Sequence, residues 1–346
     1  MFLRALSVAT AAPWGSALAC GTQPNLGIDA GDNAWPCPAF LTPTAELFRQ
    51  FGGESTVSGW TMPELDASFE LSIGGLVERE LRASLAQLMA ETALHVRGVK
   101  NMVCVRGLHA TAIWTATPLR HLLDAAGIDR ARAQRLRLFG ADGFENNLRV
   151  SDVYDSPTGM FEPLLAFALY DAPLPRELGY PFRLLLANRY GYKNIKWLQR
   201  IEVTDLDEPT GQYQQRGYSD SGLIEPVVWV DSQRLTENVR AGPTELCGFA
   251  LSGHAGVAAV EVAMDGQPFE LAELLDAAQS SLEMPQLAAT LQLTDPTRFG
   301  HAPVGVWVRF RYVFRAEVGA HELRVRVRDT ADNTAEGVRL RITAHA

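Results

Sequence analysis

LPRELGYPFRLLLANRYGYKNIKWLQRIEV, residues 174–203, holds two apolar runs separated by a turn. RLLLA (183–187) and IKWLQRIEV (195–203) are short and rich in aliphatic residues, which predicts two strands with Tyr190-Gly191 turning the chain between them. Upstream, FELSIGGLV (69–77) predicts a further strand. Ser84 and Gln87 have capping-box spacing, which predicts a helix opening around Leu85, Leu88 and Met89. A second helix is expected with Thr117 as its cap, Pro118 at its first position, Leu119, Leu122 and Leu123 on one face, and Gly127 closing it. Strand and helix patterns therefore alternate from about residue 68 to 204.

Beyond this region the texture changes. DLDEPTGQYQQRGYSDSG (205–222) is polar and turn-rich, and it marks the boundary between two domains. Further on, apolar residues alternate with period two: Val260 and Val262 before an Asp265-Gly266 turn, Leu323, Val325 and Val327 between arginines, then Val338, Leu340 and Ile342. Such strands in succession predict an antiparallel β-sandwich over 223–346, with Leu271–Ala278 as one helical interruption.

The 346 residues are 47% hydrophobic and 21% charged, the composition of a folded globular protein of about two domains. The net charge of −9 argues against nucleic acid as a partner. Charge is nevertheless uneven: residues 1–99 carry 5 basic and 10 acidic side chains, 100–200 carry 14 and 9, and 201–346 carry 12 and 21. A cationic middle segment in an acidic chain suits an anionic ligand. The N-terminal stretch MFLRALSVATAAPWGSALACG combines Arg4, an apolar run and Ala17-Leu18-Ala19, which reads as an export signal over residues 1–19. Phe2-Leu3-Arg4 is also like the tail of a twin-arginine motif, in which case the start codon is misplaced; the expected location is periplasmic, with cytoplasmic as the alternative. Residues 20–40 read as an irregular segment in which Cys20 and Cys37 could pair in an oxidising compartment.

The four cysteines (20, 37, 104 and 247) have no zinc spacing, and the chain has no GxxxxGK, GxGxxG, HExxH or GxSxG motif. Hydrolase and nucleotide-binding readings lose ground accordingly. Cys104 lies in KNMVCVRGLHATAIWTATPLRHLL between Lys100 and Arg106, and neighbouring cations favour the thiolate that binds a soft metal.

Taken in order, Cys104, the WTATPLRHLLDAAGI helix, FGADG (139–143), the 174–203 run and QYQQRGY (212–218) resemble the sulfite oxidase family of molybdopterin-dependent oxidoreductases. The resemblance covers roughly residues 41–346 and implies an α+β fold. A mixed α/β molybdopterin domain (41–222) would be followed by an immunoglobulin-like β-sandwich of the dimerisation type (223–346). It implies that Cys104 ligates molybdenum, and that Asp142, Arg183, Asn194, Ile195 and Lys196 hold the molybdenum-molybdopterin cofactor. Tyr218 falls on the active-site tyrosine, with Arg106 and His109 as substrate-side residues.

Three positions differ from the family pattern. The metal cysteine continues as CVRGLHA, so His109 stands where the family places a substrate arginine. Arg49 in ELFRQFG is one place off, and Leu178 replaces a hydrogen-bonding His or Asn. The resemblance implies two-electron oxygen-atom transfer, with sulfite or a related sulfur oxyanion as the leading substrate. Reduction of a sulfoxide or N-oxide is the alternative, and a cofactor-free binding or assembly protein a second one. With no haem-attachment CxxCH in the chain, the electron acceptor is expected to be external, a c-type cytochrome or a membrane haem protein. A homodimer is implied as well.

Overall fold

The computed structural model describes residues 41–49, 61–66, 68–155, 162–230, 239–275 and 307–346. The export-signal and Cys20–Cys37 expectations lie outside them. The first ten strands are β1 (Glu70–Gly75), β2 (Leu81–Ser84), β3 (Val96–Val103), β4 (His109–Pro118), β5 (Arg135–Gly140), β6 (Glu145–Arg149), β7 (Leu164–Leu169), β8 (Ala172–Pro173), β9 (Arg183–Leu185) and β10 (Leu198–Thr204). Three short helices, α1 (Leu85–Ala90), α2 (Leu119–Ala126) and α3 (Val150–Tyr154), lie among them.

These strands form two sheets. One has the order β2-β1-β10-β5-β6, with β1 and β10 parallel and the other pairs antiparallel. The other has the order β3-β4-β7-β8, with β9 also on β7. Leu71 and Ile73 of β1, Leu119 and Leu123 of α2, and Leu184 beside Phe182 are fully buried in one core. Each such aliphatic side chain contributes about 1.5–3 kcal/mol of hydrophobic stabilisation. Gly75, at φ +88°, ends β1 where a Cβ would lie 2.2 Å from the Val203 carbonyl oxygen, so no other residue fits that contact.

Local signals explain most element boundaries. Ser84 and Gln87 form the reciprocal capping box of α1, and Gly127 closes α2 in the left-handed conformation. Thr117 is not the α2 cap: it pairs with Leu165 as a strand residue, and Pro118 occupies the cap position with no side-chain hydrogen bond. Ile195–Trp197 belong to a turn, with Trp197 at φ +51°, so the second strand of the 174–203 run starts only at Leu198.

The remaining strands are β11 (Val227–Val230), β12 (Val239–Arg240), β13 (Gly242–Leu251), β14 (Val257–Met264), β15 (Glu270–Leu271), β16 (Glu273–Leu275), β17 (Val308–Ala316), β18 (Gly319–Asp329) and β19 (Thr334–His345). They form two further sheets, β11-β13-β17-β16 and β12-β19-β18-β14-β15. Leu246, Ala250 and Phe310 of the first and Val260, Val262, Leu323, Val325 and Val327 of the second share one core. Period-two alternation explains this, since it puts every second side chain on the facing surface. The expected helix at Leu271–Ala278 is instead strand as far as Leu275, where Glu273–Leu275 pair with Arg309–Arg311; residues 276–278 lie outside the described residues.

A further apolar cluster joins the N-terminal and C-terminal layers. Val99, Val103 and Ile113 from β3 and β4 pack with Ile224, Phe249, Leu251 and Trp307. Among the described residues, no helix is long and apolar enough to cross a membrane.

Candidate functional site

Antiparallel pairing sets the C-terminal end of β3 beside the N-terminal end of β4, Val103 opposite His109, while Arg183 at the start of β9 pairs with Ala166 of β7, itself opposite Ala116 of β4. Cys104 and His109 therefore share the hairpin end, whereas Arg183 lies level with Ala116, seven residues further along β4. Cys104 follows β3 as a free, partly exposed thiol, held by its N–H donating to the Leu108 carbonyl (2.7 Å) and its carbonyl accepting from Gly107 N–H (2.9 Å). Arg106 is exposed at the tip of the hairpin, with Val105 and Leu108 also open to solvent.

His109 is paired with Val103 and packs edge-on against Trp229 and at a tilt against Trp307 of the C-terminal layer, at ring-centroid distances of 4.7 and 5.0 Å. Burial pushes its pKa down, against a weak contact of Nδ1 with the Gly107 carbonyl, so the imidazole is neutral at pH 7.

The residues expected to hold the cofactor converge. Arg183 is fully buried, and its guanidinium donates to the carbonyls of Leu178 (3.1 Å), Asn194 (3.0 Å) and Leu184 (3.4 Å); burial lowers its pKa to about 9. Its charge also lies 5.8 Å from the centre of the Trp114 ring. Lys196 donates to the carbonyls of Arg49 and Glu177, both at 2.9 Å. Asp142 caps its own turn by accepting from Phe144 N–H, and a Cβ on Gly140 would touch Asp142, Lys196 and Ile195 together.

The Asn194 side chain is committed internally: Oδ1 accepts from Leu186 N–H (2.6 Å), and Nδ2 donates to the Arg189 and Tyr190 carbonyls. Ile195 is core. These two residues thus shape the main chain, while Arg183, Lys196 and Asp142 carry the charge.

Arg49 reaches the site through its carbonyl on Lys196 and pairs with Glu177 at 3.8 Å. Leu178 is fully buried, its carbonyl accepting from Arg183. Tyr218 is 40% exposed, its ring against Tyr192 and Tyr213 at 5.5 and 5.0 Å. Its hydroxyl makes no hydrogen bond to the described residues and is open to a ligand.

Residues 59–212 match the family model described as the oxidoreductase molybdopterin binding domain. That segment, rather less than half of the chain, carries its likeness to the molybdopterin-binding oxidoreductases. The chain is 30% identical over 199 residues to the protein-methionine-sulfoxide reductase catalytic subunit MsrP of Gluconobacter oxydans, a match covering 51% of this chain and 62% of that protein. It is 28% identical to the putative protein-methionine-sulfoxide reductase subunit YedZ1 of Azospira oryzae, over 52% of this chain and 65% of that one. Mitochondrial sulfite oxidase of Macaca fascicularis is 26% identical, over 49% of this chain and 35% of that protein. Each of these matches thus spans less than two thirds of the relative. The sulfane dehydrogenase SoxCD of Paracoccus pantotrophus shares the fold, with a TM-score of 0.65 at 18% identity over 86% of this chain and 75% of that chain.

The family's molybdopterin group suits the residues in place. Cys104 is a soft sulfur donor on a turn, and an added Cβ at Gly107 beside it, or at Gly217 before Tyr218, would meet nothing within 4 Å, so both loops leave room. Arg183 and Lys196 match an anionic phosphate. Among the described residues no three His, Cys, Asp or Glu converge as a separate metal site.

Several residues of the surroundings escaped the motif reading. Lys193 is buried, donates to the Asn147 carbonyl (2.6 Å), and has its pKa pushed down to about 7 by desolvation against the pull of Asp220. Arg135, Asp207 and Asp220 join it in one ionic network. The acidic residues of the 205–222 linker facing a basic middle segment were the available signal.

Proposed function

We propose that this chain is the catalytic part of a molybdopterin-dependent oxidoreductase that transfers an oxygen atom at sulfur, with an uncharged sulfoxide as the substrate its residues suit best. Cys104, a free and partly exposed thiol on the open β3–β4 hairpin beside His109, carries the reading. When bound, the molybdenum-pterin group supplies the two-electron redox couple. Cys104 would fix the metal, while Arg183 and Lys196 would neutralise the phosphate, with Asp142, Asn194 and Ile195 shaping the turn beneath. The Tyr218 hydroxyl is available to hydrogen-bond the substrate oxygen.

In the net reaction the sulfur–oxygen bond breaks, sulfur gains two electrons, and the oxygen leaves as water with two protons. Neutral His109 between two indoles, beside exposed Val105 and Leu108, favours an uncharged substrate. The MsrP and YedZ1 relatives agree with this direction. Oxidation of sulfite or a related oxyanion is the second reading, and exposed Arg106 is the observation that favours it.

The two-sheet C-terminal layer (223–346) is read as immunoglobulin-like and as the dimer-forming part, residues 41–222 as the cofactor domain, and residues 1–19 as the signal for export to the periplasm. Electrons would be exchanged with an external haem protein.

The test is molybdenum and pterin content per chain in protein from a cofactor-producing host, followed by assays with methionine sulfoxide plus reduced viologen and with sulfite plus cytochrome c. Metal near one per chain with sulfoxide turnover is expected. Metal-free protein, prepared alongside a loaded family member, sinks the proposal; turnover of sulfite alone shifts it to the second reading.

A further inference from the structure

The linker after Tyr218 is bound to the turn that precedes the cofactor-side residues. The Asp220 carboxylate stands at the centre of this attachment. Its Oδ2 accepts from Arg135 Nη1 at 2.8 Å and lies 3.8 Å from Arg149 Nε. Its Oδ1 is buried without a hydrogen bond and faces the Lys193 ammonium 4.0 Å away. Arg135 and Lys193 are each 1% exposed at the side chain, so Asp220 is the carboxylate that both buried cations share.

The main chain around Asp220 is tied to the same turn. The Tyr192 hydroxyl donates to the Ser219 carbonyl (2.8 Å), Arg189 Nη1 donates to the Ser221 carbonyl, and Tyr190 N–H donates to the Gly222 carbonyl (2.8 Å). Gly222 lies so close to Lys193 that a Cβ there would come within 2.5 Å of Lys193 Cγ. Arg189 is fixed in turn by Asp152 at 2.7 Å.

We infer that Asp220 is a positioning residue for Tyr218, locking the 218–222 stretch onto the Arg189–Lys193 turn and so coupling the Tyr218 hydroxyl to the Asn194–Lys196 run. The inference deepens the proposed function, in which Tyr218 faces substrate. A carboxylate between buried cations suits this task because losing it removes the carboxylate nearest Lys193 and leaves Arg135 with Asp207 alone, which gives the attachment a sharp energetic minimum.

The test compares Asp220→Asn with Asp207→Asn in the holoenzyme. Asp207 pairs with Arg135 and Arg149 but does not contact Lys193, so it controls for loss of charge. The rate of Tyr218 nitration by tetranitromethane, located by mass spectrometry, reads the tyrosine directly. It is expected to rise about tenfold in Asp220→Asn, the opening that follows loss of one charge-assisted bond. It should stay at the wild-type rate in Asp207→Asn, and Asp220→Glu should recover most of the loss. Turnover should fall in Asp220→Asn through kcat rather than KM, with molybdenum content unchanged.

An unchanged Tyr218 nitration rate in Asp220→Asn, or an equal rise in both variants, overturns the inference. If Asp220→Asn fails to fold by circular dichroism, Lys193→Met is read against the same expectation. A chain without metal contradicts the proposed function, yet the nitration comparison still decides the role of Asp220.

Discussion

Val103 and His109 face one another across the β3–β4 hairpin, which places the imidazole beside the strand end that carries the Cys104 thiol. The same imidazole rests on Trp229 and Trp307, so the C-terminal layer reaches the mouth of the candidate site. Opening that clamp with Trp229→Ala should return water to His109. Its pKa, lowered chiefly by desolvation, is then expected to rise toward the ordinary histidine value, and NMR titration of the ring protons reads this directly. An unaltered titration would show that the tryptophans do not control the imidazole.

Cys104→Ser should leave the fold intact, because the bonds that shape the hairpin tip are main-chain bonds between residues 104, 107 and 108. Molybdenum per chain should fall by at least about tenfold, since losing a metal ligand costs more than losing its supporting residues. Elemental analysis beside a far-ultraviolet circular dichroism spectrum checks both halves.

Leu178→Asn restores a polar side chain where the family pattern has one, yet it is expected to harm this protein. Leu178 is fully buried in the apolar cluster around Trp114 and Leu185. Replacing it should cost about 2–4 kcal/mol through lost packing and a buried amide. Urea denaturation measures the loss, and a stability equal to wild type would mean that the site has room for the amide.

Lys193 makes stability depend on pH in an unusual sense. Its folded pKa is about 7 against 10.5 for a solvated lysine, so between these values the unfolded chain binds the extra proton. Stability contributed by this group is fully present above pH 10.5 and is lost as pH falls through 7. From pH 7 to 9 the wild type should gain on the order of 2 kcal/mol from Lys193, a gain that Lys193→Met removes. Lys100, with a pKa of about 8 set by burial against the attraction of Glu162, pulls the same way in both proteins. Urea midpoints at the two pH values give the comparison.

Signals local in sequence were legible. The Ser84–Gln87 box, the Gly127 stop and the period-two alternation of β18 each involve neighbours whose spacing encodes the geometry. Thr117 misled because pairing with β7, nearly fifty residues away, outweighed its capping preference. Ile195–Trp197 misled because the apolar residues there are buried in a turn rather than a strand. At the candidate site, motif order marked Cys104, Asp142, Arg183 and Lys196. The Asp220 network and the Trp229–His109–Trp307 stack join segments separated by tens of residues, which no local pattern can register.

The parallel pairing of Ser72 with Arg200 sets a schedule for the nascent chain. The central strand pair of its sheet joins segments separated by more than a hundred residues, so β1 must wait through synthesis of everything between them before it finds β10. Long-range parallel contacts of this kind form slowly, after their loop-closure entropy has been met. Until Thr204 has emerged from the ribosome, β1 has β2 beside it but no β10 on its other edge, and that interval is when a chaperone would have the most to protect.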